Sequence, residues 1–149
     1  MADTVRQLIA ENIMTRLGAI SITNGYSTDY GLVAEWKLTA LEESDYPALV
    51  FLDDSNTVVD NIPSVISNIV HCRICIYARG TETPSQLRNM IQDVYKCLGA
   101  DIWCGGYADD LKILDDNFAM AQKDNVYGSI DIRFDVYYDC RAYDLTTVN

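Results

Sequence analysis

The chain has 149 residues and a formal net charge of −11 at pH 7, because 22 acidic side chains outnumber 11 basic ones. Hydrophobic residues make up 49% of the sequence, which is typical of a globular protein, and the length is that of a single domain over residues 1–149. The charge argues against a surface that grips nucleic acid, because phosphate binding needs clustered Lys and Arg side chains and the few here are scattered.

Two further patterns predict a reducing compartment and no membrane. No apolar run approaches the roughly 20 residues that span a bilayer, and the polar N-terminal segment lacks the pattern of a signal peptide. The five cysteines are odd in number and irregularly spaced, which favours reduced thiols over a disulfide framework. We therefore expect a protein made and used in the cytosol, or in an assembly formed there.

The first part of the chain predicts a helix followed by two strands. Residues 4–17 carry apolar side chains at the spacing of one helical face, with Asp3 as the expected N-cap and Gly18 as the end of the helix. Turn residues follow, and then a predicted strand from Leu32 to Leu38. A second strand is predicted from Ala48 to Leu52, between an acidic loop and a pair of aspartates.

The clearest strand signal lies in the middle of the chain. Residues 56–63 are expected to form a hairpin tip or an extended loop, and a long strand is predicted from Val65 to Arg79. Alternate residues of this strand are apolar, so one face is expected to be buried. The residues predicted on the buried face are Val70, Cys72, Ile74, Ile76 and Ala78. Those predicted on the other face are His71, Arg73, Cys75 and Tyr77.

The second half predicts another helix and two more strands. Thr83 is the expected N-cap of this helix, and Gly99 its end. A weak strand is predicted at Leu111–Leu114 and a strong one at Tyr127–Tyr138, while residues 140–149 are expected to be a loose tail. This order predicts an α+β fold, a two-layer sandwich in which two helices pack on a mainly antiparallel sheet of four to five strands.

The polar residues do not combine into a pattern that predicts catalysis or metal binding. His71 is the only histidine, and we expect it on the outer face of a strand with no nucleophile elbow beside it. Cys72 and Cys75 form a C-x-x-C motif, but in a strand they point to opposite faces, so one is expected to be buried and the other exposed. The paired aspartates lack the alternating spacing of a calcium loop. We therefore predict no catalytic residue, no metal and no cofactor.

Acidic residues are concentrated between Leu38 and Cys72, where six acids occur without any Lys or Arg. Such a stretch is either a solubilising surface or one that repels phosphates and meets a basic partner, and the sequence leaves both open. The residues that we expect at an interface are Glu42, Glu43, Asp45, Tyr46, Asp53, Asp54 and Asp60.

The segment GADIWCGGYADDL, residues 99–111, is predicted to be a structural corner. Gly99 ends the helix, and Trp103 is expected to anchor the loop against the core. Gly105 and Gly106 let the chain turn where a side chain would clash.

Several short segments recur in the same order in one protein family. They are GYSTDYG at 25–31 with Trp36 after it, DYPALVFLDD at 45–54, NMIQDVYKCLGAD at 89–101, WCGGYAD at 103–109 and YGSIDIRFDVYY at 127–138. Through them the chain resembles the small tail-terminator, or tail-completion, proteins of tailed bacteriophages, over most of its length from about Val5 to Tyr143.

The resemblance implies a structural protein of the virion and not an enzyme. Such proteins form a six-subunit ring on the last ring of the tail tube, stop its polymerisation and present a surface to the head-completion (stopper) protein. DNA passes through the central hole without specific binding. The implied location is the tail–neck region of the virion, after assembly in the host cytoplasm. Two alternatives stay open: another head–tail joining protein, such as a stopper or adaptor, and a small enzyme or ligand-binding domain.

Overall fold

The computed structural model describes residues 3–36, 40–79, 83–122 and 126–148. These residues form two helices, six strands and two short 3₁₀ turns, the latter at Glu43–Asp45 and Cys104–Gly106. The helices are α1 (Val5–Gly18) and α2 (Pro84–Gly99). The strands are β1 (Leu32–Glu35), β2 (Ala48–Ile62), β3 (Val65–Arg79), β4 (Asp110–Gln122), β5 (Val126–Arg141) and β6 (Asp144–Val148).

All six strands belong to one sheet with the order β1-β2-β3-β5-β4, and β6 pairs with the far end of β5. Only β1 and β2 run parallel, and the other pairs are antiparallel. The α+β class, the two helices and the mainly antiparallel sheet are therefore confirmed. The flat two-layer sandwich of four to five strands is wrong, because the six-stranded sheet curls into a half-barrel.

The curl follows from the length and irregularity of the strands. Twist accumulates along each strand, and a bulge increases it locally. The pairing register shifts twice in β2, between Asp53 and Ser55 and again between Val58 and Asp60. It shifts once in β4, between Ile113 and Asp115. Long strands with such shifts bend the sheet around the two helices.

Both helices begin with a local hydrogen bond. Thr83 caps α2, as predicted, and forms a reciprocal capping box with Gln86. The N-cap of α1 is Thr4 and not the predicted Asp3, because the Thr4 hydroxyl accepts the amide N–H of Gln7 at 3.1 Å.

The core lies between the helices and one face of the sheet. All five β3 residues predicted on the buried face are buried. These residues pair with alternate residues of β5. At the centre of the core, the ring centroids of Phe51 and Phe134 lie 6.2 Å apart. Cys72 and Cys75 are on opposite faces as expected, but both are buried, because Cys75 is covered on the outer face and its thiol donates to Asp131 at 2.9 Å.

Several element boundaries differ from the sequence prediction. The strand predicted at Leu111–Leu114 runs from Asp110 to Gln122, and the one predicted at Tyr127–Tyr138 runs from Val126 to Arg141. The strand expected to end at Leu52 continues to Ile62, so the tip of the β2–β3 hairpin is a two-residue turn at 63–64. The expected loose tail contains strand β6. β1 ends at Glu35, and the last two predicted residues of that strand lie outside the described residues.

The corner at residues 99–111 is confirmed in part. Gly99 ends α2, and Gly105 and Gly106 have φ angles of 73° and 94°, a left-handed conformation that favours glycine. The anchoring role of Trp103 is wrong, because this side chain is 58% exposed. The fully buried Cys104 holds the corner in the core in its place.

Candidate functional site

The predicted acidic interface is divided between two parts of the fold. Glu42, Glu43 and Asp45 lie in and before the first 3₁₀ turn, where the amide N–H of Glu42 donates to the Asp45 carboxylate at 2.8 Å. Glu42 and Glu43 are exposed, whereas Asp45 and Tyr46 are half-buried. The Asp45 carboxylate therefore helps to hold the shape of this turn, and the Glu42 side chain completes a reciprocal capping box with the Asp45 backbone.

Asp53 is largely buried and makes contacts within the fold. Its carboxylate accepts the Nε–H of Arg6 at 2.6 Å and the indole N–H of Trp36 at 2.8 Å. Arg6 also donates to the backbone carbonyl of Asp53 at 2.7 Å. Asp53 thus ties α1 to the first bulge of β2, and the neighbouring Asp54 lies 3.5 Å from the guanidinium of Arg73.

Asp60 is exposed near the tip of the hairpin, and it is surrounded by apolar side chains that the sequence analysis did not single out. We call this region the distal end of the sheet; it comprises β2 from Val58 to Ile62, the start of β3, the end of β5, and β6. Although Ile66 in this region is buried, six large apolar side chains there, including Tyr143 in the turn before β6, are 43–88% exposed. They are Val58, Val59, Ile62, Tyr143, Leu145 and Val148.

The strand registers place β2 and β6 on opposite sides of the distal end. Ile62 pairs with Val65, which pairs with Arg141, which pairs with Asp144. Because β3 occupies one side of β5 as far as Arg141, β6 must lie on the other side. At this level the sheet is therefore four strands wide, in the order β2-β3-β5-β6, although β6 pairs with β5 only at Cys140 and Arg141 and with an irregular register.

Neither outer edge has a second partner strand within the described ranges, and helix α1 lies against β6. β1 pairs with β2 only as far as Phe51, so β2 from Leu52 to Ile62 has no second partner strand there. β6 pairs only with β5. Unpaired strand edges expose backbone N–H and C=O groups that another strand can bind.

A series of polar contacts covers the outer face of the sheet, which is the face turned away from the helices. His71 lies there as predicted, with Nδ1 2.7 Å from the Asp135 carboxylate and Nε2 2.7 Å from the Thr57 hydroxyl. A hydroxyl, an imidazole and a carboxylate in this order also occur in hydrolases. Here both neighbours of Thr57 pair with β3, so the hydroxyl lies within a regular strand rather than on a nucleophile elbow. We interpret the contact as a cross-strand link.

The same face contains a shallow cavity of about 270 Å³ beside Cys75 and Arg73. Burial, followed by the hydrogen bond to Asp131, raises the pKa of the Cys75 thiol to about 12. The thiol is therefore protonated at neutral pH and is a weak nucleophile. Across the part of the chain that is described, no group of three His, Cys, Asp or Glu side chains is placed to hold a metal ion.

The structure thus moves the candidate site from the acidic stretch to the distal end. The sequence contains a signal for strands in this region. The segment VVDNI at 58–62 interrupts a polar stretch with apolar residues, and DLTTV at 144–148 carries apolar and β-branched residues. Among the described residues, neither helix is long and apolar enough to cross a membrane. A scan against models of known protein families finds no match, and a search of curated proteins finds none either.

Proposed function

We propose that this chain is a tail-terminator protein of a tailed bacteriophage, a structural protein of the virion that acts as a ring and not as an enzyme. In this function six copies cap the tail tube, end its polymerisation and join it to the head-completion protein in the neck. The observation that carries the proposal is the pair of open, apolar edges on opposite sides of one sheet. A protein with two such edges is suited to repeating contacts with identical copies.

The charge of the chain supports the same function. Six chains at −11 each give a ring with a charge of −66. An acidic bore repels the phosphates of DNA, so the DNA can pass without adhering. The same charge opposes ring closure at low salt, where the charges repel one another over long distances. Added salt weakens this repulsion, because exposed charges farther apart than about 10 Å are largely screened at 0.1 M salt.

The acidic turn that holds Glu42 and Glu43 supports a role for a second surface. It lies at the opposite end of β2 from the hairpin tip, since Ala48 begins that strand. A contact there with the tube or with the head-completion protein would leave the distal end free for neighbouring copies.

The test is the solution mass and the location of the protein on purified tail tubes. We expect a monomer or a mixture at low salt, more assembly as salt is raised, and discrete rings at tube ends by electron microscopy. Tube protein that polymerises in its presence should stop growing, and an unrelated acidic protein of similar size is the control. Assembly that moderate salt weakens or leaves unchanged would contradict the electrostatic argument.

The two alternative functions give different results in the same experiment. A protein that ignores tubes but binds the portal end of the head is a stopper or adaptor. A protein that ignores both and copurifies with a small molecule is a ligand-binding domain or an enzyme, and the Thr57–His71–Asp135 contacts would then be the first place to examine.

A further inference from the structure

We propose that the cavity on the outer face of the sheet binds a small zwitterion, of the class of free α-amino acids with an apolar side chain. This inference goes beyond the proposed function and does not depend on it. Three observations carry it: the shape of the cavity, the incomplete pairing of Arg73 at its side, and the opposite charge of Asp131 beside it.

The cavity forms where short side chains lie between longer ones on adjacent strands. In one row of the outer face, Tyr77 pairs with Ser129 and Ser129 with Ala119, so only the tyrosine is long. In the next row on this face, Cys75 is also short, and it pairs with Asp131. The cavity of about 270 Å³ is smaller than pockets for drug-sized ligands, which measure roughly 300–1,000 Å³, so the ligand is a small molecule.

Arg73, which lines the cavity, is incompletely paired. Its Nε is buried without a hydrogen-bond partner among the described residues, and carboxylate oxygens of Asp54 and Asp131 lie 3.5 and 3.8 Å from its nitrogens. Charge-assisted hydrogen bonds are shorter, at about 2.7–2.9 Å. Arg133, which pairs directly with Arg73, instead donates to both oxygens of Asp115. Because the Arg73 side chain is 37% exposed, a ligand carboxylate can reach the donors that it leaves free.

Asp131 on the neighbouring strand supplies the opposite charge. Its Oδ1 accepts the Cys75 thiol at 2.9 Å, whereas its Oδ2 lies 3.8 Å from the Arg73 guanidinium. The Asp131 side chain is 43% exposed, so Oδ2 can accept hydrogen bonds from a ligand ammonium group. Ser129 and Asn117 also line the cavity and add a hydroxyl and an amide that can bind polar atoms of the same ligand.

The charge around the cavity favours a ligand that carries both signs. A simple anion would be repelled by Asp54 and Asp131, and a simple cation would be repelled by Arg73. A zwitterion can place its carboxylate at Arg73 and its ammonium at Asp131. In an α-amino acid both groups are attached to one carbon, which suits two partners that lie 3.8 Å apart. Leu52 and Tyr77 provide apolar contacts for the side chain of the ligand.

Three probes that differ only in their charged groups test this site on the unaltered protein. They are L-leucine, N-acetyl-L-leucine, which lacks the ammonium group, and L-leucinamide, which lacks the carboxylate. Each is titrated at neutral pH while the backbone amide signals of β3, β4 and β5 are followed by NMR. We expect L-leucine to shift the signals of residues that line the cavity. Each of the other two probes should bind at least about tenfold more weakly, because it lacks one of the two charged contacts.

Two variants that remove one charge each test which groups bind the ligand. We expect Arg73→Gln and Asp131→Asn each to weaken the binding of L-leucine at least about tenfold. The matched control is Arg133→Gln, which removes a guanidinium from the same row of the sheet but not from the lining of the cavity. This control should bind L-leucine as the unaltered protein does. Circular dichroism shows whether each variant is folded, and the comparison of probes remains decisive if one is not.

Several outcomes would overturn the inference. Equal binding of L-leucine and N-acetyl-L-leucine would show an anion site, and equal binding of L-leucine and L-leucinamide would show a cation site. Shifts that persist in both folded variants would place the ligand elsewhere on the protein, and the absence of any shift at millimolar L-leucine would mean that the cavity does not bind it. None of these results bears on assembly at tube ends, so the terminator function stands or fails separately.

Discussion

Asp53 connects the first helix to the second strand, and its removal should destabilise the fold measurably. Its carboxylate accepts hydrogen bonds from Arg6 and Trp36 at 2.6 and 2.8 Å, and its side chain is only 16% exposed. A hydrogen bond to a charged group contributes about 1.5–3 kcal/mol, and water reduces the part that involves Arg6, whose side chain is 35% exposed. We expect Asp53→Ala to lower the free energy of unfolding by about 2–3 kcal/mol.

A double-mutant cycle measured by urea unfolding is the assay. Arg6→Ala and Asp53→Ala should be non-additive, with a coupling energy of about 1 kcal/mol, because the two side chains contact each other. Asp54→Ala is the matched control; this neighbouring acid is exposed and 3.5 Å from Arg73, so we expect a change below about 0.5 kcal/mol. Additive effects, or an Asp53→Ala variant as stable as the control, would refute the structural role and return Asp53 to the interface.

Three other results are expected. Trp103→Ala should cost about 1–2 kcal/mol by urea unfolding, because this half-exposed side chain buries little area, and a loss above about 3 kcal/mol would show that the ring is buried after all. Thiol reagents at pH 7 should label the native protein slowly and the urea-unfolded protein fast. The reason is that burial raises the pKa of Cys75 to about 12 and that of Cys104 to about 11. A single thiol that reacts fast in the native protein would contradict this. Hydrogen bonds from the hydroxyls of Thr146 and Thr147 lower the pKa of the Asp144 carboxyl. The contacts of Asp144 with these two residues should therefore persist at neutral pH and disappear as the pH falls through the lowered pKa. An NMR titration of the β6 amides follows this loss, and Asp144→Asn should weaken the contacts at every pH.

Elements with a strong local signal could be predicted from the sequence. The alternation along β3 specifies which face is buried, because a strand turns successive side chains to opposite sides. The capping pair Thr83 and Gln86 specifies where α2 begins, because both hydrogen bonds form within four residues. The placement of His71 on the outer face follows from the same alternation.

Parts of the fold that depend on distant neighbours could not be predicted in this way. The sequence of the outer half of β2 is typical of a polar loop, because no element covers this segment and its side chains are mostly exposed. It is nevertheless a strand, because it pairs with β3. Tryptophan is usually buried, yet Trp103 is exposed because the turn at Gly105 brings Cys104 into the core instead. The role of Asp53 depends on Arg6, which lies 47 residues away in the sequence.

The sequence by itself determined the α+β class, the two helices, the buried face of β3 and the acidic charge, because each follows from residue type and local spacing. The tertiary structure alone decided the curl of the sheet, the use of β6 as an edge and the position of the exposed apolar side chains. Those features depend on which strands become neighbours, and pairing between residues far apart in the chain leaves no periodic trace in the sequence.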